Sequence, residues 1–197
     1  MQTESPRRSN RERSDTTRGA ILDAAHGLFV ERGYAETSTP DIVAAAGMTR
    51  GALYHHFEDK KALFRAVADR EAGAVAARIE RATIDDLTPR EALITGARAF
   101  FDAMAEPGRI RILLLDGPAV LGTREMAAID AANAQRTLED GLAEAMAPKV
   151  VDRDALAATA TLLSAAFDRA ALEIAEGAPT NLYVEAISHL IDGLISA

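Results

Sequence analysis

The stretch from Thr39 to Leu63 constrains this chain more than any other. It reads Thr-Pro-Asp-Ile-Val-Ala-Ala-Ala-Gly-Met-Thr-Arg-Gly-Ala-Leu-Tyr-His-His-Phe, then Glu-Asp-Lys-Lys-Ala-Leu. Thr39 can cap a short helix whose first turn takes Pro40, where a missing N–H costs nothing. Ile42, Val43 and Ala46 give that helix an apolar face. Gly47 follows its last residue, where a left-handed backbone is needed and a side chain would strain it. Thr49 can cap a second short helix, roughly Arg50 to Phe57, and Asp59 a third that starts at Lys60. Two short helices joined at a glycine turn predict a helix-turn-helix, a device that lays its second helix into the DNA major groove.

The agreement extends beyond the turn. An amphipathic helix ends in Glu31-Arg-Gly-Tyr34. Thr-Ser-Thr39, Asp-Ile-Val43, Ala-Gly-Met-Thr49, Gly-Ala-Leu-Tyr-His-His-Phe57 and Lys60-Lys-Ala-Leu63 follow in order. On these residues the run from about Arg18 to Leu63 resembles the DNA-binding head of the TetR (tetracycline repressor-like) family of transcriptional regulators. The rest of the chain resembles the family in size and helical pattern.

Composition favours an all-α protein on its own account. Alanine, the best helix former, supplies 42 of 197 residues, and alternating β-branched runs are scarce. The absence of cysteine excludes disulfides and thiolate metal sites. The basic N-terminus has no apolar run behind it, and no stretch approaches 18 consecutive apolar residues. Neither a secretory signal nor a membrane span is expected, and the expected compartment is the cytoplasm. The net charge of −8 looks wrong for a DNA binder until it is mapped. Residues 1–61 hold nine bases and nine acids, so all the excess negative charge lies beyond them. An acidic body is repelled by phosphate and helps point a neutral head toward DNA. A neutral head also argues for few phosphate contacts.

Three segments are expected: a polar arm without periodicity over 1–15, the DNA-binding head over 16–62, and a helical body over 63–197. Asp15, Thr16 or Thr17 can cap the first helix, on which Ile21, Ala25, Leu28 and Phe29 share a face until Gly33. Beyond the head, helices are predicted over about 60–81, 89–105, 123–147, 154–176 and 180–196. Glycines and prolines punctuate them. Ile110 to Leu115 is too short and isolated for a sheet and reads as a short buried helix. On the last helix Tyr183, Ile187, Leu190, Ile191 and Leu194 form one apolar stripe, widened by Leu182, Ala186 and Ile195. Apolar residues on more than one face need both a core and a partner, so the last two helices are expected to form a homodimer.

The expected DNA-contacting residues are Thr39, Thr49, Arg50, Gly51, Ala52, Tyr54, His55, His56 and Lys60. Arginine can grip a guanine edge with two bonds, and histidine can reach a base or a phosphate. Gly51 and Ala52 allow close backbone approach or contact with a thymine methyl. Lys60 and Thr39, at helix N-termini, can share a phosphate with the free N–H groups there. The resemblance implies that Tyr54 and His56 touch backbone or bases and that Arg50 to Ala52 tune operator choice. Arg7, Arg8, Arg11 and Arg13 could reach a minor groove as an arm or remain solvated. His55 and His56 point about 100° apart on a helix and do not converge on a metal. No cofactor or metal is expected.

In the body, the resemblance implies an effector cavity. Phe100, Phe101, Met104, Leu113, Leu114, Met126, Thr161, Ser164, Phe167 and Asp168 lie on the helices that surround it. Small alanines, a few large apolar groups and isolated hydroxyls suit a mainly apolar small molecule. Nucleophile-elbow, nucleotide-loop and zinc-helix motifs are missing, which argues against an enzyme. The resemblance therefore implies a homodimeric repressor that occupies a pseudo-palindromic double-stranded operator and is released by an effector. An activator, an effector-independent regulator, and a small-molecule-binding enzyme or carrier are the alternatives.

Overall fold

A computed structural model describes residues 10–84, 86–147 and 152–196. Every regular element among them is a helix, as expected. The chain divides into two compact units, residues 1–67 and 68–197. The division falls inside a helix, after Val67 rather than after residue 62.

The first unit holds α1 (Asn10–Glu36), α2 (Thr39–Ala46), α3 (Arg50–His56) and the start of α4 (Lys60–Ala82). Residues 10–15, expected in the arm, already belong to α1. Thr16 and Thr17 do not cap it. Their hydroxyls donate to the carbonyls of Glu12 and Arg13 one turn earlier (2.7 and 2.9 Å). Arg7 and Arg8 lie outside the described residues. Gly33, at φ 82° and ψ 171°, interrupts α1 with a backbone that only glycine adopts readily. Phe29, Tyr34 and Phe64 pack ring against ring, with centroids 5.1–5.9 Å apart. Ile21, Ile42 and Leu53 of the same unit are fully buried.

The second unit continues α4 and adds α5 (Pro89–Met104), a π-helical turn (Arg111–Asp116), α6 (Gly117–Leu121), α7 (Thr123–Ala131), α8 (Ala134–Met146), α9 (Arg153–Ala175) and α10 (Thr180–Ser196). α5 is well specified. Thr88 and Glu91 form a reciprocal capping box, and Pro89 fills the first turn. The expected short helix after Gly108 is a π-turn, with one residue more per turn than an α-helix. Gly117 closes it because a Cβ there would lie 2.7 Å from the Ile112 carbonyl oxygen and 2.9 Å from the Met126 sulfur.

The single helix expected over 123–147 is two. Asn133 leaves helical geometry (φ −127°, ψ −109°), and its side-chain amide donates to the Ile129 carbonyl at 2.7 Å. That bond satisfies an end of α7 and allows α8 to start afresh. Asp152 caps α9 through the Asp154 amide, while Pro148 lies outside the described residues. α9 is long and apolar enough to cross a membrane by length and composition, although no unbroken apolar run of that length exists. It packs against α5, α8 and α10, as a core helix does. On α10 the buried stripe is Val184, Ile187 and Ile191, and Leu190 points outward with Leu182.

Candidate nucleic-acid interface and ligand cavity

α3 is held by its ends. The Thr49 hydroxyl accepts the Ala52 amide (3.2 Å), and Phe57 closes the helix through the Leu53 carbonyl. Leu53 and Phe57 bury the inner face, and Arg18 lies over the Phe57 ring at 5.1 Å. Arg50, Gly51, Tyr54 and His55 are exposed, while Ala52 and His56 are half-buried. The outer surface of α3 thus presents the residues that the sequence singles out.

Two of these have partners within the unit. The Tyr54 phenol is held below its ordinary pKa, first by a hydrogen bond with Thr39 and then by one with Arg50. The Arg50 guanidinium also lies 5.5 Å from the Tyr54 ring centroid. Thr39 therefore ties α2 to α3, but it is not the cap of α2. Ser38 is. Its hydroxyl accepts the Asp41 amide, and Asp41 accepts the Ser38 amide in return (3.3 and 3.2 Å). The Ser38 hydroxyl also donates to the Asp41 carboxylate (2.5 Å), and this bond first, then that from the Ser38 amide, holds the Asp41 carboxyl below the usual carboxylate range. Thr39 and Pro40 occupy the first turn. The glycine turn is as expected, with Gly47 left-handed at φ 63°.

Lys60 differs more. Its ammonium donates to the carbonyls of Tyr34 and Thr37 (2.9 and 2.8 Å) and sits 4.0 Å from the Tyr34 ring centroid. Thr37 is buried, and its hydroxyl donates to Gly33 (2.8 Å). Two of the three ammonium protons are thus committed to the protein's own backbone, which leaves one for a phosphate.

Among the cavities lined by described residues of the second unit, two adjoin and share Phe100, Ala134 and Ser164. The larger, about 460 Å³, is lined by Phe100, Met104, Leu113, Leu114, Met126, Thr161, Ser164 and Asp168 from the expected set. Phe167 instead lines the smaller cavity, about 290 Å³. Phe101 lines neither. It is buried behind Phe100 and Phe167, at centroid distances of 5.6 and 5.7 Å. Thr161 is half committed already, donating to the Ala157 carbonyl (2.9 Å) and accepting from the Gln135 amide (3.0 Å).

The sequence reading missed Asp130. Its carboxylate accepts the Ser164 hydroxyl at 2.7 Å and the Gln135 backbone amide. The break at Asn133 produces this arrangement, since it sets Asp130 against the free N–H groups that open α8. Burial nevertheless raises its pKa. Asp168 has no such support. Burial, and then the Asp130 charge, push it up to about 7. A helical wheel of one long 123–147 helix cannot show this, because the wheel changes phase at Asn133.

A helix-turn-helix unit followed by an all-helical unit is the architecture of a class of bacterial regulatory proteins. Residues 21–67 match the bacterial regulatory proteins of the tetR family, and residues 90–197 match the tetracyclin repressor-like C-terminal domain. A TetR-family transcriptional regulator from Pectobacterium atrosepticum is 31% identical over 95% of both chains, with a TM-score of 0.68. The chain belongs to the TetR family of transcriptional regulators. RolR, solved with its ligand resorcinol, shares the fold at 16% identity and a TM-score of 0.70, with 95% of each chain covered. Among curated relatives, the transcriptional activator FasR of Mycolicibacterium smegmatis is 35% identical over 49% of this chain and 44% of its own. The transcriptional repressor BepR of Brucella suis is 45% identical over 32% of this chain and 30% of its own. The chain thus spans less than half the length of these curated relatives.

Proposed function

We propose that this protein is a repressor that binds a pseudo-palindromic operator as a homodimer and leaves it when a small molecule fills the larger cavity. The observation that carries this reading is the exposed α3 surface in the first unit together with a cavity of about 460 Å³ in the second, whose wall includes residues of α4. In this reading Arg50, Gly51 and Ala52 read base edges. Thr39, Thr49, Tyr54, His55 and His56 contact phosphate or base. Lys60 chiefly positions these residues by fixing the α1–α2 connection. The cavity wall includes Ala72 and Val75 of α4, so a ligand that prefers one setting of α4 shifts the spacing of two heads. RolR supports a small-molecule occupant in this fold. With no enzymatic motif and DNA as the target, the protein acts as a cytoplasmic regulator and not a catalyst.

The dimer would form on the outer faces of α9 and α10. Leu162 (74% exposed), Leu182 and Leu190 present large apolar side chains to solvent there. Ala158 and Ala186 lie exposed along the same helices and permit close packing. The FasR match favours activation as the second reading, and the position of the operator relative to the promoter separates the two.

The test combines sedimentation, operator binding and release. The protein should sediment as a dimer, and Leu162→Glu with Leu190→Glu should give monomers that bind a half-site only weakly. Alanine at both Tyr54 and His56 should abolish operator binding. Compounds that release the operator should lose that effect in Ser164→Trp while DNA binding without compound persists. Release that survives Ser164→Trp would place the effector site elsewhere.

A further inference from the structure

The larger cavity is apolar on most of its wall, which Phe100, Met104, Leu113 and Met126 dominate. Among the described residues, Asp130 and Asp168 are the only ionisable groups that face it from any of its elements. No lysine, arginine or histidine lines it. The two acids are also unequally supported. Asp130 is held by Ser164 and by the N-terminus of α8. Asp168 lies one helical turn beyond Ser164 on the same face of α9, and its one charged neighbour is Asp130, a like charge. Two carboxylates in a low-dielectric wall without a counter-charge repel each other and repel any anion. An apolar neutral molecule would leave that repulsion in place. A positive group would remove it.

We infer that the occupant of this cavity is an organic monocation on an apolar frame, its charged nitrogen bound by Asp130 and Asp168. The inference rests on the reading of this cavity as the effector site and narrows the mainly apolar molecule expected from sequence. Asp168 titrates near neutrality, so at pH 7 it is partly protonated. Seating a cation favours the doubly ionised pair and expels that proton to solvent. A protonated amine and a quaternary ammonium share the required charge, but only the amine can also donate hydrogen bonds.

The test holds the frame constant and changes the head group. 4-Phenylbutylammonium, its trimethylammonium counterpart, 4-phenylbutanol and 4-phenylbutyrate are titrated calorimetrically into the full-length protein at pH 7. The buffers differ in ionisation heat. The ammonium should bind at least about tenfold more tightly than the alcohol, with measurable proton release, and the carboxylate should bind weakest. Asp168→Asn should erase the preference for the cation over the alcohol and, with it, the proton release. Asp130→Asn should also reduce the preference. A trimethylammonium probe matching the ammonium assigns recognition to charge alone, and a weaker one adds hydrogen bonding; both outcomes support the inference. Alcohol or carboxylate binding as tight as the ammonium, and blocked by Ser164→Trp, overturns the cation inference and retains the cavity as the effector site. Binding of any probe that ignores Ser164→Trp, or no binding by all four, overturns both.

Discussion

The Lys60 ammonium lies 4.0 Å from the centre of the Tyr34 ring while donating to the Tyr34 carbonyl at 2.9 Å. One side chain thus grips both the ring and the backbone of a residue in the last turn of α1. Replacing Lys60 by Met keeps the stem and removes the charge. Two carbonyls lose their donor and the ring its cation, so the head should lose about 1–3 kcal/mol. The slope of log affinity against log salt should stay nearly unchanged. Urea unfolding and a salt series of operator binding check this. A slope reduced by about one, with stability intact, would make Lys60 a phosphate ligand instead.

Gly51 is exposed on α3, and a Cβ there would meet nothing nearer than the Thr49 hydroxyl at 3.9 Å. Gly51→Ala should therefore stabilise the helix by up to about 1 kcal/mol. Operator affinity should fall, because the added methyl occupies the space through which the backbone nears the bases. Thermal unfolding and fluorescence anisotropy with labelled operator measure the two effects separately. A stabilised variant with undiminished affinity would remove Gly51 from the interface.

Asp168 makes stability depend on pH in a definite direction. Its folded pKa is raised to about 7 from 3.8, so the native state holds a proton that the unfolded chain has released. Stability is therefore greatest below the unfolded value and falls as pH rises through the folded one. Asp168→Asn removes this penalty. The variant should be more stable than the parent at pH 8, by up to about 4 kcal/mol, and the difference should vanish toward pH 4. Denaturation midpoints at pH 4, 6 and 8 test the trend. A constant difference across that range would show that Asp168 is not the titrating group.

Gly117→Ala should destabilise the second unit by about 1–3 kcal/mol, as overpacking does. Shortening Met126 to Ala in the same protein should restore only part of the loss. The sulfur clash is relieved, but the contact with the Ile112 carbonyl oxygen at 2.7 Å remains. Full recovery in the double variant would mean that the main chain yields easily at this point.

The head was legible in the sequence because its information is local. Pro40, Gly47, Thr49 and Asp59 act on neighbours within four residues, and their roles follow from backbone chemistry. Even there, Ser38 and Thr39 are both good caps, and only the reciprocal bond with Asp41 decides between them. Lys60 shows a related limit of local reading. A lysine at a helix start suggests an anion, whereas its acceptors here are the carbonyls of Tyr34 and Thr37, 26 and 23 residues earlier. In the body, eight of ten expected cavity residues reach the larger cavity, since they share helix faces at regular spacing. Phe101 did not follow, because adjacent phenylalanines point apart and one is left behind the other. Asp130 was invisible because its orientation depends on a helix break that a single asparagine side chain creates.

The π-turn at Arg111–Asp116 contains, in effect, one surplus residue. An α-helix advances about 100° per residue, so removing one residue from this turn would let it rewind and rotate everything on one side of it by that angle. Leu113 and Leu114 enter the cavity wall from this turn, and Gly117 and Met126 meet just after it. The shape of the cavity is therefore written partly in chain length and not only in side-chain identity. Relatives that differ here by a single deletion would present a different wall to their ligands even with every lining residue retained.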